Sequence, residues 1–431
     1  MNSDEGLKRE IGLVGLTANI VNVVIGSGIF VLPAIVSEKL GPSGILAYLF
    51  CGFLITMIML CFAEVGSRVT ITGGAYAYIE SAFGKYVGFL TTNIFVFGSS
   101  LMAASAVANA LVNTLGVLFP IFNTAFSKTI FLVALFSALA LVNVIGIKKG
   151  ITLVKITTVA KLTPLLLLIL WGFTKVDLEN LQLKSIPSLG DLGQISLVLF
   201  FAFQGAEGSL SISGEVKSPN KTVPWAILLS FTIILVFYIS IQLVSQGILA
   251  DAFSDFKSAP LAEVAKRLMG PLGLTLMIAG AALSMVGYLT SDSLNMPRVL
   301  FRSSIDNVVP IKSLSKVHPK FATPYVAIIS YAFLCCTFSI IGEFRQLAML
   351  ASSFALLIYI GVAAAVIKFR IQIKNQESGF KIPLGYTVPS IAILTSIFFL
   401  LNGSGTQAVG LILFIASVSA IYFAIQFFKL R

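Results

Sequence analysis

The chain is 431 residues long, 57% hydrophobic and only 11% charged, with a formal net charge of +11 and a mean hydropathy of +0.98. A soluble domain of that length needs far more charge to cover its surface, so a water-soluble enzyme or binding module is excluded. Apolar runs of roughly 20 residues, the length a helix needs to cross about 30 Å of hydrocarbon, recur along nearly the whole chain and leave no room for a separate soluble domain.

Spans are expected near 11–37, 43–67, 86–118, 126–147, 151–174, 191–215, 222–248, 270–300, 323–342, 346–367, 385–402 and 406–428. This is an all-α membrane protein of about twelve transmembrane helices in one polytopic domain. Its charged first ten residues and long first run read as a retained helix rather than a cleaved signal peptide. Placing both termini in the cytoplasm puts 19 of the 29 Lys and Arg on the inner side and eight on the outer, with Lys155 and Lys161 inside a span. That asymmetry is the positive-inside rule, so the basic balance reports topology and not nucleic-acid binding. Short interfacial or gating helices are expected at 76–83 and 260–269.

Function is expected where the apolar pattern breaks, because non-helical backbone at membrane depth survives only beside a cavity or within protein. The first span holds Gly26-Ser27-Gly28 near its middle, one turn after Asn22. Glycines here serve either close packing or a break, and Asn22 either lines a site or makes a packing hydrogen bond. The sixth span holds Phe203-Gln204-Gly205-Ala206-Glu207-Gly208-Ser209, and an ionisable Glu207 amid apolar helix marks a functional site by default. Two interrupted helices five spans apart are the pattern of an inverted-repeat transporter, with repeats at 11–174 and 191–367 followed by two helices at 385–428. A helix restarting at Gly28 directs unpaired N–H groups at the gap, where a carboxylate can dock. Carbonyls of Phe201, Ala202 and Phe203 at the end of the first half of helix six suit an ammonium. An α-amino acid carries both groups on neighbouring atoms.

In the fifth span Lys155 is near enough to the helix end to snorkel. Lys161 lies ten residues in, roughly 15 Å deep, and must face a cavity, pair with an acid or shed its proton. In the eighth span Asp292 is either a helix-end charge paired with Arg298 or Arg302, or an acid facing the substrate. Cys51, Cys61, Cys335 and Cys336 sit inside spans and read as inert core residues. The one histidine, His318, reads as a loop residue. No nucleophile–base pair, metal-ligand cluster or phosphate-cradling loop is evident, so no enzyme chemistry and no cofactor is implied. No filter-like loop or charged ring suggests a channel.

Four motifs in order resemble the amino acid–polyamine–organocation superfamily of secondary transporters over nearly the whole chain. They are Gly26-Ser27-Gly28-Ile29-Phe30-Val31-Leu32-Pro33; Phe62-Ala63-Glu64-Val65-Gly66-Ser67-Arg68 with Thr72-Gly73-Gly74-Ala75-Tyr76; Phe200-Phe201-Ala202-Phe203-Gln204-Gly205 with Gly214-Glu215-Val216-Lys217-Ser218-Pro219; and Pro297-Arg298-Val299-Leu300 with Val317-His318-Pro319-Lys320-Phe321-Ala322-Thr323-Pro324. The resemblance implies a five-plus-five inverted repeat with broken helices one and six. It implies carboxylate binding at the backbone of Ser27 and Gly28, and amine binding by carbonyls around Phe201. Lys161 falls where many members place a lysine at the site that holds sodium in related sodium-coupled transporters. Transport of amino acids across a bacterial cytoplasmic membrane, independent of sodium, is thus expected. A proton moving on and off Lys161 would give proton-coupled symport, with Glu207 as a second coupling candidate; a fixed charge would suit exchange. Glu207 matches a glutamate of bacterial arginine and related antiporters, and Asp292 falls where those carry an aromatic gate. A basic amino acid or polyamine antiporter is therefore an alternative, as is a non-transporting amino acid receptor on the same fold.

Overall fold

A computed structural model describes residues 11–69, 74–145, 151–183, 186–210, 216–256, 259–305, 309, 311–321, 323–372 and 380–429, apart from the side chains at 151–158, 251, 254, 302, 303, 305, 428 and 429. Of the residues singled out above, Thr72, Gly73, Gly214, Glu215 and Ala322, and the side chains of Lys155 and Arg302, lie outside that description.

The described chain is almost entirely helical, with no strand among its residues. The first apolar run forms α1 (Leu13–Val24) and α2 (Gly28–Leu40), separated by the glycine-flanked break. Then come α3 (Gly44–Arg68), the short α4 (Ala75–Phe83) and α5 (Lys85–Asn93). α5 runs through a π-helical segment, Ile94–Ser100, into α6 (Leu101–Gly116). α7 (Ala125–Ile145) and α8 (Ile151–Gly172) follow. The sixth apolar run forms α9 (Leu189–Phe200), a 3₁₀ turn at Phe201–Phe203 and the one-turn α10 (Ala206–Ser209). The remainder is α11 (Pro219–Leu249), α12 (Pro260–Ile305), α13 (Tyr325–Ile341), α14 (Phe344–Gln372), α15 (Thr387–Leu401) and α16 (Gly405–Lys429). The segment expected as a separate helix at 260–269 is the first part of α12, set off from the rest by Gly270 at φ +68.

Eight helical stretches among the described residues are long and apolar enough to cross a membrane, and α1, α13 and α15 are shorter apolar helices. The outward faces match a lipid surroundings: Phe126, Trp225, Phe333, Ile341, Leu401 and Phe423 are exposed, and a soluble monomer does not tolerate apolar patches on that scale. Inside, helices close on one another over small residues, as expected where lipid removes the hydrophobic drive for association. A Cβ at Gly52 would lie 2.4 Å from Leu235 and one at Gly66 would lie 2.9 Å from the Tyr78 hydroxyl oxygen, so α3 seats directly on α11 and α4.

One buried ionic knot ties three elements together at the end of α3. Glu64, fully buried, accepts hydrogen bonds from Arg68 Nη2 (2.8 Å), from Arg370 Nε on α14 (2.8 Å) and Arg370 Nη2, and from the Ile382 amide before α15 (2.9 Å). Every lone-pair direction of the carboxylate is used, which is the condition under which a buried charge is tolerated.

Candidate functional site

The first break is a run of residues that helix does not favour, two glycines around a serine. The C-terminal end of α1 therefore leaves backbone carbonyls without intrahelical partners. Donors from three other helices take them up. Lys161 on α8 directs its ammonium to the carbonyls of Asn22 and Ile25, the latter at 2.8 Å. Ser284 on α12 also donates to Ile25 (3.1 Å). Tyr238 on α11 reaches Val24 (3.3 Å). Among the described residues Lys161 neither lines the cavity described below nor pairs with an acid; its amino group caps the carbonyl end of α1.

The second break follows from Gly205. Its φ of +112 is a left-handed conformation that glycine alone adopts freely, and a Cβ there would lie 2.8 Å from Val23 on α1. The two breaks meet: a Cβ at Gly28 would lie 2.7 Å from both Cα and Cβ of Ala202. Gly28 is thus required for the contact between breaks, which is the packing role, alongside its place at the start of α2. Tyr238 fastens the same junction, donating to the Ala202 carbonyl at 2.6 Å as well as reaching Val24, with its ring against Phe203.

Between the breaks and α5/α6 and α12 lies a cavity of about 800 Å³. It is lined by Asn22, Gly26, Ser27 and Gly28 from the first break, by Phe201, Gln204, Gly205, Glu207, Gly208 and Ser209 from the second, and by Ser100, Gly287, Tyr288 and Asp292. It extends along α1 to Ile11 and along α12 to Met296, reaching the surface beside the exposed Leu13 and Val14. On the α2 side Phe201 packs edge-on against Phe344 with ring centroids 5.8 Å apart. Ala202 and Phe203 stand behind the wall rather than in it, and the Ala202 carbonyl is already engaged by Tyr238. Of the three residues whose carbonyls were expected to hold an ammonium, only Phe201 lines the cavity.

The polar residues lining this space are of three kinds. Ser27 and Ser209 have buried hydroxyls without a hydrogen-bond partner among the described residues. Gln204 is held in place by its amide donating to Ser352 Oγ at 2.8 Å. The acids Glu207 and Asp292 are both buried. Glu207 Oε2 accepts from the Tyr359 hydroxyl (2.8 Å) and the Gly205 amide (3.1 Å). Asp292 accepts from Ser100 Oγ (2.5 Å) on one oxygen and the Tyr331 hydroxyl (2.7 Å) on the other. Arg298 donates to the Leu294 carbonyl one turn away rather than to Asp292, and Asp292 lines the cavity; the side chain of Arg302, the other partner considered, lies outside the described residues. A Cβ at Gly26, Gly208 or Gly287 would meet no heavy atom closer than 4.0 Å, leaving the cavity wall bare at those points.

Ser100, Tyr331, Tyr359, Ser209, Tyr238 and Ser284 were not legible as site residues. Ser209 stands in the second break and could have been included with it. Ser100 faces inward from the π-helical segment, a backbone departure common at functional sites that has no sequence signature. The tyrosines sit singly in apolar runs where core packing is the default reading. Outside the site, His318 accepts from the amides of Lys320 and Phe321 at 3.2 and 3.3 Å, a loop-ordering arrangement.

A family model described as amino acid permease matches residues 11–427. The chain is 30% identical to the serine/threonine exchanger SteT of Bacillus subtilis over 92% of this chain and 91% of that protein. It is 26% identical to the branched-chain amino acid permease BcaP of the same organism over 98% and 94%. It is likewise 26% identical to the mouse b(0,+)-type amino acid transporter 1 over 98% and 89%.

Proposed function

Because this chain belongs to the amino acid permease family, we propose that it moves amino acids across a bacterial cytoplasmic membrane by alternating access, with the junction of its two helix breaks as the substrate site. The observation that carries this is one cavity lined from both breaks at once, with two buried serine hydroxyls left unpartnered in its wall. The substrate carboxylate docks on the N-terminal amides of α2 and the Ser27 hydroxyl, where unpaired N–H groups and the helix dipole favour an anion. The substrate ammonium lies across the cavity, against Phe201 and Glu207. Asn22, Gly26, Gln204 and Asp292 complete the wall.

The described helices group into twelve spans in this reading: α1/α2, α3, α5/α6, α7 and α8 form one repeat, α9/α10, α11, α12, α13 and α14 its inverted counterpart, and α15 and α16 stand outside. The two breaks open the two repeats, which is what supports it. Both termini face the cytoplasm in this arrangement, as the distribution of Lys and Arg favours. The cavity, reaching the surface beside the start of α1, then faces inward.

Transport is sodium-independent and proceeds by exchange. The Lys161 ammonium already occupies the α1 carbonyls, where a coupling cation would otherwise sit, and Lys161 is not among the residues that line the cavity. Uptake of labelled amino acids into proteoliposomes tests the proposal. Uptake should require unlabelled amino acid inside and be unchanged when sodium is replaced by choline. Accumulation driven by an imposed proton gradient into vesicles without internal substrate would replace exchange by symport. Binding with no flux under any condition would make the protein a receptor.

A further inference from the structure

The Asp292 group has a feature that follows from the inventory of its protons. Ser100 and Tyr331 each carry one hydroxyl proton, and both point at Asp292, at 2.5 and 2.7 Å, the range of hydroxyl-to-carboxylate bonds. The two hydroxyl oxygens are 3.1 Å apart, yet neither has a second proton to give the other. With both donors spent, the group presents only lone pairs to the cavity through Asp292 and Ser100, which line it. An incoming side chain must supply the proton. The rest of the wall agrees in charge: it contains Glu207 as a second carboxylate and no lysine, arginine or histidine among the described residues. The space is also adequate, since the wall is bare at Gly26, Gly208 and Gly287 and the cavity is about 800 Å³.

We propose that Ser100, Asp292 and Tyr331 form a side-chain subsite that selects amino acids ending in a cation, of the lysine and ornithine type. This rests on the reading of the cavity as an amino acid site and adds the class of side chain. Ser100 touches the substrate as an acceptor, and Tyr331, which is buried and does not line the cavity, is a positioning residue that holds the carboxylate.

The test is uptake of labelled L-lysine and L-serine into proteoliposomes preloaded with the same amino acid, for the wild type, Asp292→Asn and Tyr331→Phe. Lysine should be carried by the wild type, and its uptake should be inhibited by ornithine but not by norleucine, which has the length of lysine without its charge. Asp292→Asn should lower Vmax/KM for lysine about 10- to 150-fold, the loss of one hydrogen bond between charged groups, and by much more than it lowers that for serine, with the amount of inserted protein and its melting temperature in detergent reporting that the variant is folded. Tyr331→Phe should raise KM for lysine without changing Vmax, since it loosens the acceptor and leaves its charge. Serine uptake with no lysine uptake, or norleucine competing as well as ornithine in the wild type, would overturn the subsite while leaving amino acid transport intact. No flux of either amino acid would overturn both.

Discussion

Lys161→Met replaces the lysine by a side chain of similar length that donates no hydrogen bond. The Ile25 carbonyl keeps Ser284 at 3.1 Å, but the Asn22 carbonyl loses the donor that Lys161 provides. Asn22 is half-buried and lines the cavity, so leaving its carbonyl without this donor costs at most about 1–3 kcal/mol, an upper bound of roughly 5- to 150-fold in any equilibrium that depends on α1 keeping this position. Because α1 lines the cavity down to its surface opening, the loss should fall on conformational exchange and hence on Vmax, with KM little altered. The assay is exchange of labelled amino acid in proteoliposomes, with the amount of inserted protein measured in the same vesicles. A methionine variant with wild-type Vmax and KM would refute the claim that the ammonium holds the unwound end of α1. A loss confined to one side of a pH titration, with wild-type flux at the other, would instead show Lys161 acting as a proton carrier and overturn the fixed-charge reading.

Gly26→Ala adds a methyl group pointing into open cavity; it should raise substrate KM with an unchanged melting temperature in detergent. Gly28→Ala would place its Cβ 2.7 Å from Ala202 and should instead lower the melting temperature, overpacking of this kind costing about 1–3 kcal/mol. Equal melting temperatures for the two would remove the distinction drawn between a ligand-facing and a packing glycine. Tyr238→Phe leaves the Ala202 carbonyl without its 2.6 Å donor, and thermal unfolding should show a loss of about 1–3 kcal/mol; full stability would mean that the hydroxyl does not fasten the two breaks. Arg370→Met strips Glu64 of two of its donors in a fully buried position while Arg68 and the Ile382 amide remain, and should cost about 1–3 kcal/mol. Wild-type stability of Arg370→Met would mean that Arg68 and the amide suffice to hold the buried carboxylate.

Local chemistry alone determined the membrane class, the helical composition and the places where helices stop. A run such as Gly26-Ser27-Gly28, or Gly205 after Gln204, is poor helix on propensity and backbone freedom, which marked both places as candidate breaks even though glycine also serves close packing. The buried acids and the deep lysine were visible for a similar reason: one ionisable residue in an apolar run is costly enough to stand out without knowledge of its neighbours. What the sequence could not supply was partnership. Lys161 could have met Glu207, and instead caps the carbonyls that the first break exposes, because α8 crosses α1 at that break. Ala202 was expected to offer its carbonyl to a substrate, yet Tyr238, 36 residues away, takes it. Asp292 draws its two donors from residues 192 and 39 positions distant. Each of these is a contact between helices, and helix crossings are set by small-residue packing across the whole bundle, so no local window of sequence contains them.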